Sequence, residues 1–465
     1  MRKIYDVIIV GAGPAGIFCA LEISRSSKLK ILMLDRGKGI NERKCPAEGK
    51  GCRKCKPCNV LCGWGGAGAY SDGKLTLSPD IGGWLKEFVP ENTVVRLIDE
   101  VDRTYREFGA PDPLFGTDDD RIAEIARQAV RAGLVLIPSK VRHMGTEVCP
   151  RVIQRMYEEL KEKVEIRMET EVRNIRTKNG VVSGVVTSDG NFIGCRYLVV
   201  APGRSGADWI NQIAGEVGLF LNNSMVDIGV RVEVPAAVME PLTSELYEPK
   251  LIYYSKTTDD RVRIFCMNPY GEVIKEYYEE VLTVNGHSYA EKKSDNTNFA
   301  LLVDKRFTEP FHEPIAYGKY IASLANLLGD GIIVQRLGDL LSGRRSDEKR
   351  ITRSTVKPTL RDATPGDLSL VLPFRYLSDI LEMLAALDGI VPGVFSKSTL
   401  LYGVEVKFYS SRLKVSPSLE SDVKNLYGAG DGVGVTRGLV QASASGILAA
   451  RSILRRERKA KGSII

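Results

Sequence analysis

The residues with the clearest chemical signature form a glycine turn that begins ten residues into the chain. Gly11, Gly13 and Gly16 have the spacing G-x-G-x-x-G. In this pattern the first glycine permits a tight turn, the second lets a pyrophosphate approach the backbone, and the third lets a helix pack close to a sheet. Asp35 follows 24 residues after Gly11, near the spacing of a carboxylate that holds a ribose hydroxyl. The pattern predicts a dinucleotide site.

The elements expected around this turn agree with that chemistry. Residues 5–10 form a short apolar, β-branched run that is typical of an interior parallel strand. Pro14 suits the first turn of a helix, which we expect to continue to residue 26. A second apolar strand, residues 29–34, ends at Asp35. The helix N-terminus would offer free N–H groups and partial positive charge to the phosphates.

A second group of residues with chemical potential is a cysteine cluster. Its members are Cys45, Cys52, Cys55, Cys58 and Cys62, and the last four have the spacing C-x2-C-x2-C-x3-C, which resembles bacterial ferredoxin. One interpretation is an iron–sulfur cluster with Cys45 recruited as a ligand beside Cys52, Cys55 and Cys58, and with Cys62 as a further candidate. The alternatives are a tetrahedral zinc site, a redox-active pair formed by Cys58 and Cys62, and simple reduced cysteines.

Composition places the chain among ordinary globular proteins. The chain is 43% hydrophobic and 26% charged, and its length of 465 residues, too long for one simple core, predicts two or three domains. No apolar run reaches membrane-spanning length, and the first residues lead into a strand without a signal sequence, so we expect a cytoplasmic protein. The net charge of +7 is modest. The basic stretches 342–362 and 451–461 are expected to be solvated, and nucleic acid is not the expected partner.

Three separated segments, residues 1–78, 164–222 and 401–465, are expected to form one discontinuous nucleotide-binding domain. The second segment has a hairpin with the turn Asn179-Gly180 and a strand that ends in Ala201-Pro202-Gly203. The third contains Gly430-Asp431, followed by a small-residue helix. A helical insertion, residues 79–163, and a substrate or cap domain, residues 223–400, lie between them. The predicted fold class is α/β: a Rossmann-like domain with an inserted helical and mixed α+β substrate domain.

Together these segments resemble the flavoprotein superfamily built on the glutathione-reductase-like FAD domain. In that superfamily a fingerprint such as residues 11–16 binds the ADP half of FAD, and a late Gly-Asp motif such as Gly430-Asp431 holds the pyrophosphate or ribityl chain. A helix that opens after Gly438 would direct its N-terminus at the flavin pyrimidine ring. Residues 63–74, 142–146 and 285–289 further resemble a family of largely uncharacterised FAD-dependent dehydrogenases.

The resemblance implies FAD as the cofactor and a set of residues around it. These residues are Gly11, Gly13, Pro14, Ala15, Gly16, Asp35, Arg36, Gly65, Gly66, Val172, Ala201, Gly203, Gly430, Asp431, Arg437 and Gly438. Residues 63–68 repeat the glycine pattern, but no strand precedes them, so we expect a flexible loop beside the flavin. No other glycine fingerprint follows a strand. This disfavours the disulfide reductases and leaves open whether NAD(P)H is the electron donor.

The function implied by the resemblance is that of an FAD-dependent oxidoreductase, a dehydrogenase or reductase that exchanges electrons with a small-molecule substrate. The cysteine site, if it holds iron–sulfur, would extend the electron relay. His287, in a polar turn, is a candidate acid. Lys407 and Arg412, on a strand-like stretch 404–415, would hold an anionic substrate or the reduced flavin; exposed strand charges are the alternative interpretation.

Two other functions stay open at this point. One is a flavoprotein that acts on a macromolecular or lipid partner, as tRNA-modifying enzymes and prenyl reductases do; the basic residues after Ser342 are its only candidate surface. The other is an FAD-binding protein without turnover. The substrate and the oligomeric state do not follow from the sequence.

Overall fold

The computed structural model of the chain describes residues 4–46, 53–222, 225–278, 280–288, 293–305 and 313–462. Contacts divide the chain into two compact units. The first comprises Met1–Pro113, Arg142–Asn223 and Ser410–Ile465, and the second comprises Leu114–Val141 and Ser224–Tyr409. The segment expected as a helical insertion, residues 79–163, is shared between them, since residues 114–141 belong to the second unit.

Short strands and helices follow one another along the described chain. The strands are β1 (Ile4–Val10), β2 (Ile31–Leu34), β3 (Lys74–Leu77), β4 (Leu134–Ile137), β5 (Lys140–His143), β6 (Glu165–Arg167), β7 (Val172–Lys178), β8 (Val181–Thr187), β9 (Phe192–Val200), β10 (Leu221–Asn222), β11 (Val226–Pro235), β12 (Lys250–Tyr254), β13 (Arg261–Asn268), β14 (Glu272–Tyr278), β15 (Val281–His287), β16 (Asn296–Lys305), β17 (Ile333–Arg336), β18 (Thr364–Pro365), β19 (Leu400–Phe408), β20 (Arg412–Leu413) and β21 (Leu426–Gly428). The helices are α1 (Pro14–Ser26), α2 (Glu91–Glu107), α3 (Asp119–Arg131), α4 (Gly145–Leu160), α5 (Ala207–Val217), α6 (Ala236–Leu246), α7 (Pro314–Gly329), α8 (Leu337–Leu341), α9 (Glu348–Thr352), α10 (Phe374–Asp388) and α11 (Leu439–Gly462). Within the described ranges, no helix has both the length and the apolar character needed to span a bilayer.

The first unit is built on a parallel sheet in the order β6-β2-β1-β9, and β21 pairs in parallel with the C-terminal half of β9. Strand β1 is flanked by two parallel neighbours, so Val7 lies opposite both Ile31 and Tyr197. Residues 7–10 of β1 are accordingly buried on both faces, whereas Ile4 at its start is exposed. Strands β7, β8 and β9 form an antiparallel meander. Asn179 and Gly180, with φ of 52° and 72°, make its first turn. The predicted α/β class is confirmed.

Two helices of the first unit approach each other closely beside this sheet. A Cβ on Gly446 of α11 would lie 2.1 Å from the carbonyl oxygen of Ala15 in α1, so only glycine permits the contact. Helix α1 begins at Pro14, immediately after the turn that follows β1. The N-terminus of α1 therefore lies at the carboxyl edge of the parallel strands, where open α/β sheets bind their ligands.

The second unit is built on a sheet in the order β18-β17-β19-β11-β16-β13-β12-β4. Residues of β11 alternate between its faces. Val226, Ile228 and Val230 join an apolar core with residues from helices α3, α6, α7 and α10. Asp227 and Arg231 lie on the opposite face. We call this second side, which carries Asp227, Arg231, Glu233, Phe265 and Lys407, the polar face; the hairpin β14–β15 contributes contacts to it.

Candidate functional site

The predicted glycine turn joins β1 to α1, and its three glycines differ in their φ angles and in how much space a side chain would have. Gly11 has a φ of 108°, and a Cβ there would lie 2.0 Å from the carbonyl oxygen of Ala201. A Cβ on Gly16 would lie 1.9 Å from the carbonyl oxygen of Gly11. Gly13 has an ordinary φ of −83°, and its Cβ would come no closer than 3.8 Å, to the Cα of Gly66. The protein's own packing requires the first two glycines but not Gly13.

The space beside Gly13 adjoins the free end of a helix. No side chain in the described part of the chain caps the N-terminus of α1, which starts at Pro14 after the N-cap residue Gly13. The first N–H groups of a helix have no partner within the helix, and the helix dipole places partial positive charge at this end. Open space at a glycine, free N–H groups and positive potential together fit a pyrophosphate.

Asp35 follows strand β2, and its carboxylate accepts hydrogen bonds from the backbone around the glycine turn. Its Oδ2 accepts a hydrogen bond from the Ala12 N–H (2.9 Å), and its Oδ1 accepts from the N–H groups of Gly37 (2.8 Å) and Gly63 (2.9 Å). A carboxylate offers about four acceptor positions. Three protein N–H groups therefore leave room for one ribose hydroxyl, and Asp35 also holds the second glycine loop in place.

The second glycine loop, residues 63–68, packs directly on the first. The Gly65 N–H donates to the Ala12 carbonyl (2.7 Å). Arg43 is only 2% exposed and holds this loop in place through hydrogen bonds to its backbone. Its guanidinium donates to four backbone carbonyls at 2.5–2.9 Å, those of Asn59, Val60, Trp64 and Gly66. Arg43 was not predicted, because it lies in a basic, polar run that looks like exposed surface.

Arg36 and Val172 lie at the same edge of the first unit. The Arg36 Nη2 donates to the Ser205 carbonyl (2.7 Å), and its Nη1 lies 3.5 Å from Glu171. Val172 opens strand β7 and is buried. The Asp35 carbonyl accepts from the N–H of residue 170, which ties the start of β7 to the end of β2. Arg36 and the start of β7, where Val172 lies, are thus both close to Asp35.

The other predicted cofactor residues of the first unit form two touching loops. A Cβ on Gly432 would lie 2.2 Å from the carbonyl oxygen of Gly203, so residues 201–204 and 430–434 are in backbone contact. The Gly430 N–H donates to the Ser445 Oγ (3.0 Å). Gly203 and Gly430 both have positive φ, 63° and 79°, and no described atom lies within 4 Å of a Cβ placed on Gly203. The Gly203 position is therefore open.

The start of α11 completes this edge. The Asp431 Oδ1 accepts from the Thr436 Oγ1 (2.8 Å), which orders the chain before the helix. The Arg437 guanidinium lies 5.0 Å from the centre of the Trp84 ring. Gly438 lies against Gly82, since a Cβ there would come within 3.3 Å of the Gly82 Cα. The predicted helix after Gly438 is confirmed, with Leu439 as its first residue.

Arg412 lies apart from the strand on which it was expected. Strand β19 ends at Phe408, and Arg412 belongs to the short strand β20, which pairs antiparallel with β10 in the first unit. The expectation of one strand over 404–415 is wrong, because the chain passes from the second unit to the first at residue 410. Arg412 pairs with Glu87 (2.6 Å) and stacks on Phe88, at 4.8 Å from the ring centre.

The cysteine cluster lies in the first unit. Cys45 is exposed, Cys55 and Cys58 are half-buried, and Cys62 is buried, with its Sγ 3.3 Å from both the Arg36 Nε and the Ser205 Oγ. Cys52 lies outside the described residues. Among the residues that are described, no group of three or more His, Cys, Asp or Glu is placed to hold a metal. The iron–sulfur and zinc interpretations therefore stay predictions.

Lys407 lies on β19, on the polar face of the second unit. Its Nζ donates to the Glu276 Oε2 (2.9 Å) and forms an ion pair with the Glu405 Oε1 (3.2 Å). Burial lowers the pKa of Lys407, but the two carboxylates outweigh it and hold the pKa above its ordinary value. Lys407 is thus a buried, charged ammonium.

Arg231 is the centre of the polar face and was not predicted. It is fully buried and forms a two-pronged ion pair with Glu405, at 2.7 and 2.8 Å. It also donates to the Asn298 Oδ1 (2.9 Å) and the Cys266 carbonyl (3.0 Å). Removing two charges from water is costly unless they pair well. The available signal was the alternation of Asp227, Arg231 and Glu233 with β-branched residues along the run that forms β11.

His287 is the last residue of β15 rather than part of a turn. It pairs in register with Glu272 of β14, because residues 281–287 complete an antiparallel hairpin. The side chain is half-buried. The expectation of a polar turn at His287 is therefore wrong.

Comparisons with known proteins relate the chain to FAD-dependent proteins. Residues 226–408, most of the second unit, match the family model described as "FAD-dependent protein, C-terminal domain-like". An uncharacterised protein of Clostridium beijerinckii is 29% identical over 474 aligned residues, which cover 96% of this chain and 80% of the relative.

The solved structures to which the chain is similar include a reductase and a dehydrogenase. The E245Q variant of Escherichia coli quinol fumarate reductase FrdA is 14% identical with a TM-score of 0.44; the alignment covers 99% of this chain and 72% of that one. The L-proline dehydrogenase of P. horikoshii is 11% identical with a TM-score of 0.42, over 98% and 95% of the two chains.

Proposed function

We propose that the chain is an FAD-dependent oxidoreductase that passes electrons between a bound flavin and a small-molecule substrate. The observation that carries this proposal is the open position of Gly13 at the uncapped N-terminus of α1, next to the Asp35 carboxylate. The match of residues 226–408 to FAD-dependent proteins favours FAD over other dinucleotides.

The residues of the first unit would divide the binding of FAD among them. The free N–H groups of α1 and the space at Gly13 would hold the pyrophosphate, and Asp35 would accept from the ribose. Gly203, Gly430 and Asp431 would lie along the remainder of the cofactor, since the Gly203 position is open and residues 201–204 contact residues 430–434. When bound, FAD supplies the hydride and electron chemistry itself.

Lys407 is the best candidate for holding an anionic substrate, because the neighbouring carboxylates keep its ammonium charged. Arg412 and His287 stay candidates with weaker support. Arg412 is already paired with Glu87, and His287 lies at the end of a hairpin strand. We propose no proton transfer through either residue.

An anaerobic experiment tests this function. The chain is purified, its flavin content is measured, and the absorption of the flavin is followed after addition of NADH, NADPH and a panel of small reduced metabolites. We expect one FAD per chain and bleaching by at least one donor. A chain that binds no FAD contradicts the whole proposal. Bound FAD that no donor and no acceptor changes contradicts the enzymatic part and favours an FAD-binding protein without turnover.

Metal analysis of the same sample decides among the interpretations of the cysteine cluster. Iron with acid-labile sulfide would support an iron–sulfur relay, and zinc would support a tetrahedral site. A preparation without either metal would leave the thiol interpretations, and its free thiols would then be counted before and after oxidation.

A further inference from the structure

One aromatic ring on the polar face is surrounded by cations. Phe265 of β13 is half-buried, and its ring centre lies 4.8 Å from the Arg263 guanidinium, 5.6 Å from the Lys250 Nζ and 5.8 Å from the Lys407 Nζ. Significant cation–π contacts occur about once per 70–80 residues. Three on a single ring therefore mark Phe265 as more than a packing residue.

Each of these cations keeps hydrogen-bond donors for which the described residues provide no acceptor. Lys250 Nζ donates to Glu248 (2.6 Å), which leaves two of its three N–H groups. Lys407 donates to Glu276 and forms an ion pair with Glu405, which leaves at least one of its three N–H groups. Arg263 donates through Nε and Nη2, and no acceptor in the described ranges takes up its Nη1. The unused donors belong to side chains that are only 10–15% exposed and that share one ring.

An exposed apolar strip adjoins this cluster. In the register of the sheet, Ile252 of β12 lies opposite Arg263, and Val135 of β4 lies opposite Ile252, so all three share the polar face. Val135 is 45% exposed, and Tyr254 of the same face is 53% exposed. Buried donors thus lie next to an uncovered apolar surface.

The backbone next to Phe265 has an irregularity of the kind that often occurs beside binding sites. The pairing of β13 with β16 shifts between Phe265 and Asn268, and Cys266 has a positive φ of 46°. A bulge of this kind re-aims the neighbouring side chains and is common beside binding sites. Arg231 donates to the Cys266 carbonyl and so holds the bulge in place.

We propose that this cluster binds a small molecule with one carboxylate and an apolar body. The carboxylate would accept hydrogen bonds from Lys250, Arg263 and Lys407, and the apolar body would cover Phe265 and the strip along Val135. Arg263 and Lys407 each pair with two protein carboxylates and Lys250 pairs with one, so the cluster carries no surplus of positive charge. Its unused N–H groups therefore suit a monoanion better than a phosphate dianion. The inference deepens the proposed function, on which it rests for the redox step, by giving the substrate a chemical class.

Calorimetric titration of the full chain with four probes of similar shape tests the class of ligand. The probes are benzoate, benzamide, benzylamine and phenyl phosphate. We expect benzoate to bind at least about tenfold more tightly than each of the others, since the charge-assisted bonds add to a shared apolar contact. Equal or tighter binding of benzamide, benzylamine or phenyl phosphate would overturn the proposal, and so would the absence of benzoate binding.

Substitutions locate the site. Phe265→Leu removes the ring, and Phe374→Leu, at an 81% exposed position of the same unit, is its matched control. We expect Phe265→Leu to weaken benzoate binding by about tenfold or more and Phe374→Leu to leave it unchanged. Lys250→Gln should weaken it and Lys250→Arg should retain it, a comparison that decides the matter even if Phe265→Leu does not fold. Unchanged affinity in both Phe265→Leu and Lys250→Gln contradicts the site.

Calorimetry does not depend on flavin colour, so this proposal and the proposed function fail separately. A chain that binds benzoate as expected but contains no FAD, even after reconstitution, would contradict the oxidoreductase and leave the carboxylate site standing. A chain that holds FAD but does not bind benzoate would do the reverse.

Discussion

The substitution Gly13→Ala should affect FAD binding without affecting folding, because the space beside Gly13 is open. In Gly13→Ala the new Cβ would lie 3.8 Å from the nearest described atom, an ordinary contact, and the φ of −83° suits alanine. Alanine reduces the entropy of the unfolded chain, which stabilises by about 0.4–1 kcal/mol. Alanine is also a poorer N-cap than glycine, by roughly the same amount. We therefore expect the unfolding free energy of the apo-protein to change by less than about 1 kcal/mol.

The effect of the same methyl group on FAD should be large. It would occupy the space proposed for the pyrophosphate, and overpacking of this kind costs about 1–3 kcal/mol. Displacing the phosphates from charge-assisted bonds to the N–H groups of α1 costs a further ~1.5–3 kcal/mol. The sum predicts that FAD affinity falls by at least about a hundredfold, because each tenfold change corresponds to about 1.4 kcal/mol.

Two other glycines serve as controls, and all variants are compared by urea unfolding of the apo-protein and by FAD titration. Gly16→Ala would place its Cβ 1.9 Å from the Gly11 carbonyl oxygen and should destabilise the apo-protein by about 3 kcal/mol or more. Gly215→Ala in α5 meets no described atom within 4 Å and should stabilise by about 0.5–1 kcal/mol with FAD affinity unchanged. Wild-type FAD affinity in Gly13→Ala would refute the proposed position of the pyrophosphate, and failure of this variant to fold would refute the argument from open space.

Three further predictions concern contacts elsewhere in the two units. Burial opposes ionisation of Asp260, but Arg375 and Lys305 outweigh burial and lower the pKa of Asp260 from 3.8 to about 2. The contribution of Asp260 to stability should be complete above about pH 4 and lost as pH falls toward 2. In urea unfolding measured against pH, Asp260→Asn should reduce this loss. Arg43→Met leaves four loop carbonyls without their donor and should lower the unfolding free energy by about 3 kcal/mol or more, an effect that Arg43→Lys should not fully rescue and that an unchanged melting temperature would disprove. Asp35→Asn places an amide NH2 against backbone N–H groups that donate to the carboxylate in the wild type. It should lower the unfolding free energy by about 1–3 kcal/mol and weaken FAD binding. Wild-type values of both quantities would show that the carboxylate is dispensable.

Features with a local sequence signal were predictable. The strand before the glycine turn, the turn itself and the helix after it were all expected, because their apolar runs and glycine spacing are contained in about thirty contiguous residues. The sequence also predicts helices near residues 315–328 and 375–387, and these correspond to α7 and α10, which begin and end within one residue of those limits. The Asn179-Gly180 turn was likewise predictable, since positive φ at both positions favours these residue types.

Features set by distant parts of the chain were not predictable. The pattern of residues 164–176 predicts the first arm of the hairpin, but residues 165–167 form β6, an edge strand parallel to β2. A three-residue strand carries no pattern of its own, and its pairing is decided by the sheet. Arg43 and Arg231 were missed for a related reason. Their partners lie 16–23 and 35–174 residues away along the chain, so no window of sequence shows that they are buried.

The most direct test of an FAD site at the glycine turn is a titration of the apo-protein with FAD, repeated in the presence of ADP or NAD+. We predict saturation at one FAD per chain and competition by both ADP and NAD+, since each carries the pyrophosphate that would share the space at Gly13, with FAD bound more tightly than either. Failure to saturate at one FAD per chain, or FAD binding that ADP does not affect, would contradict the assignment.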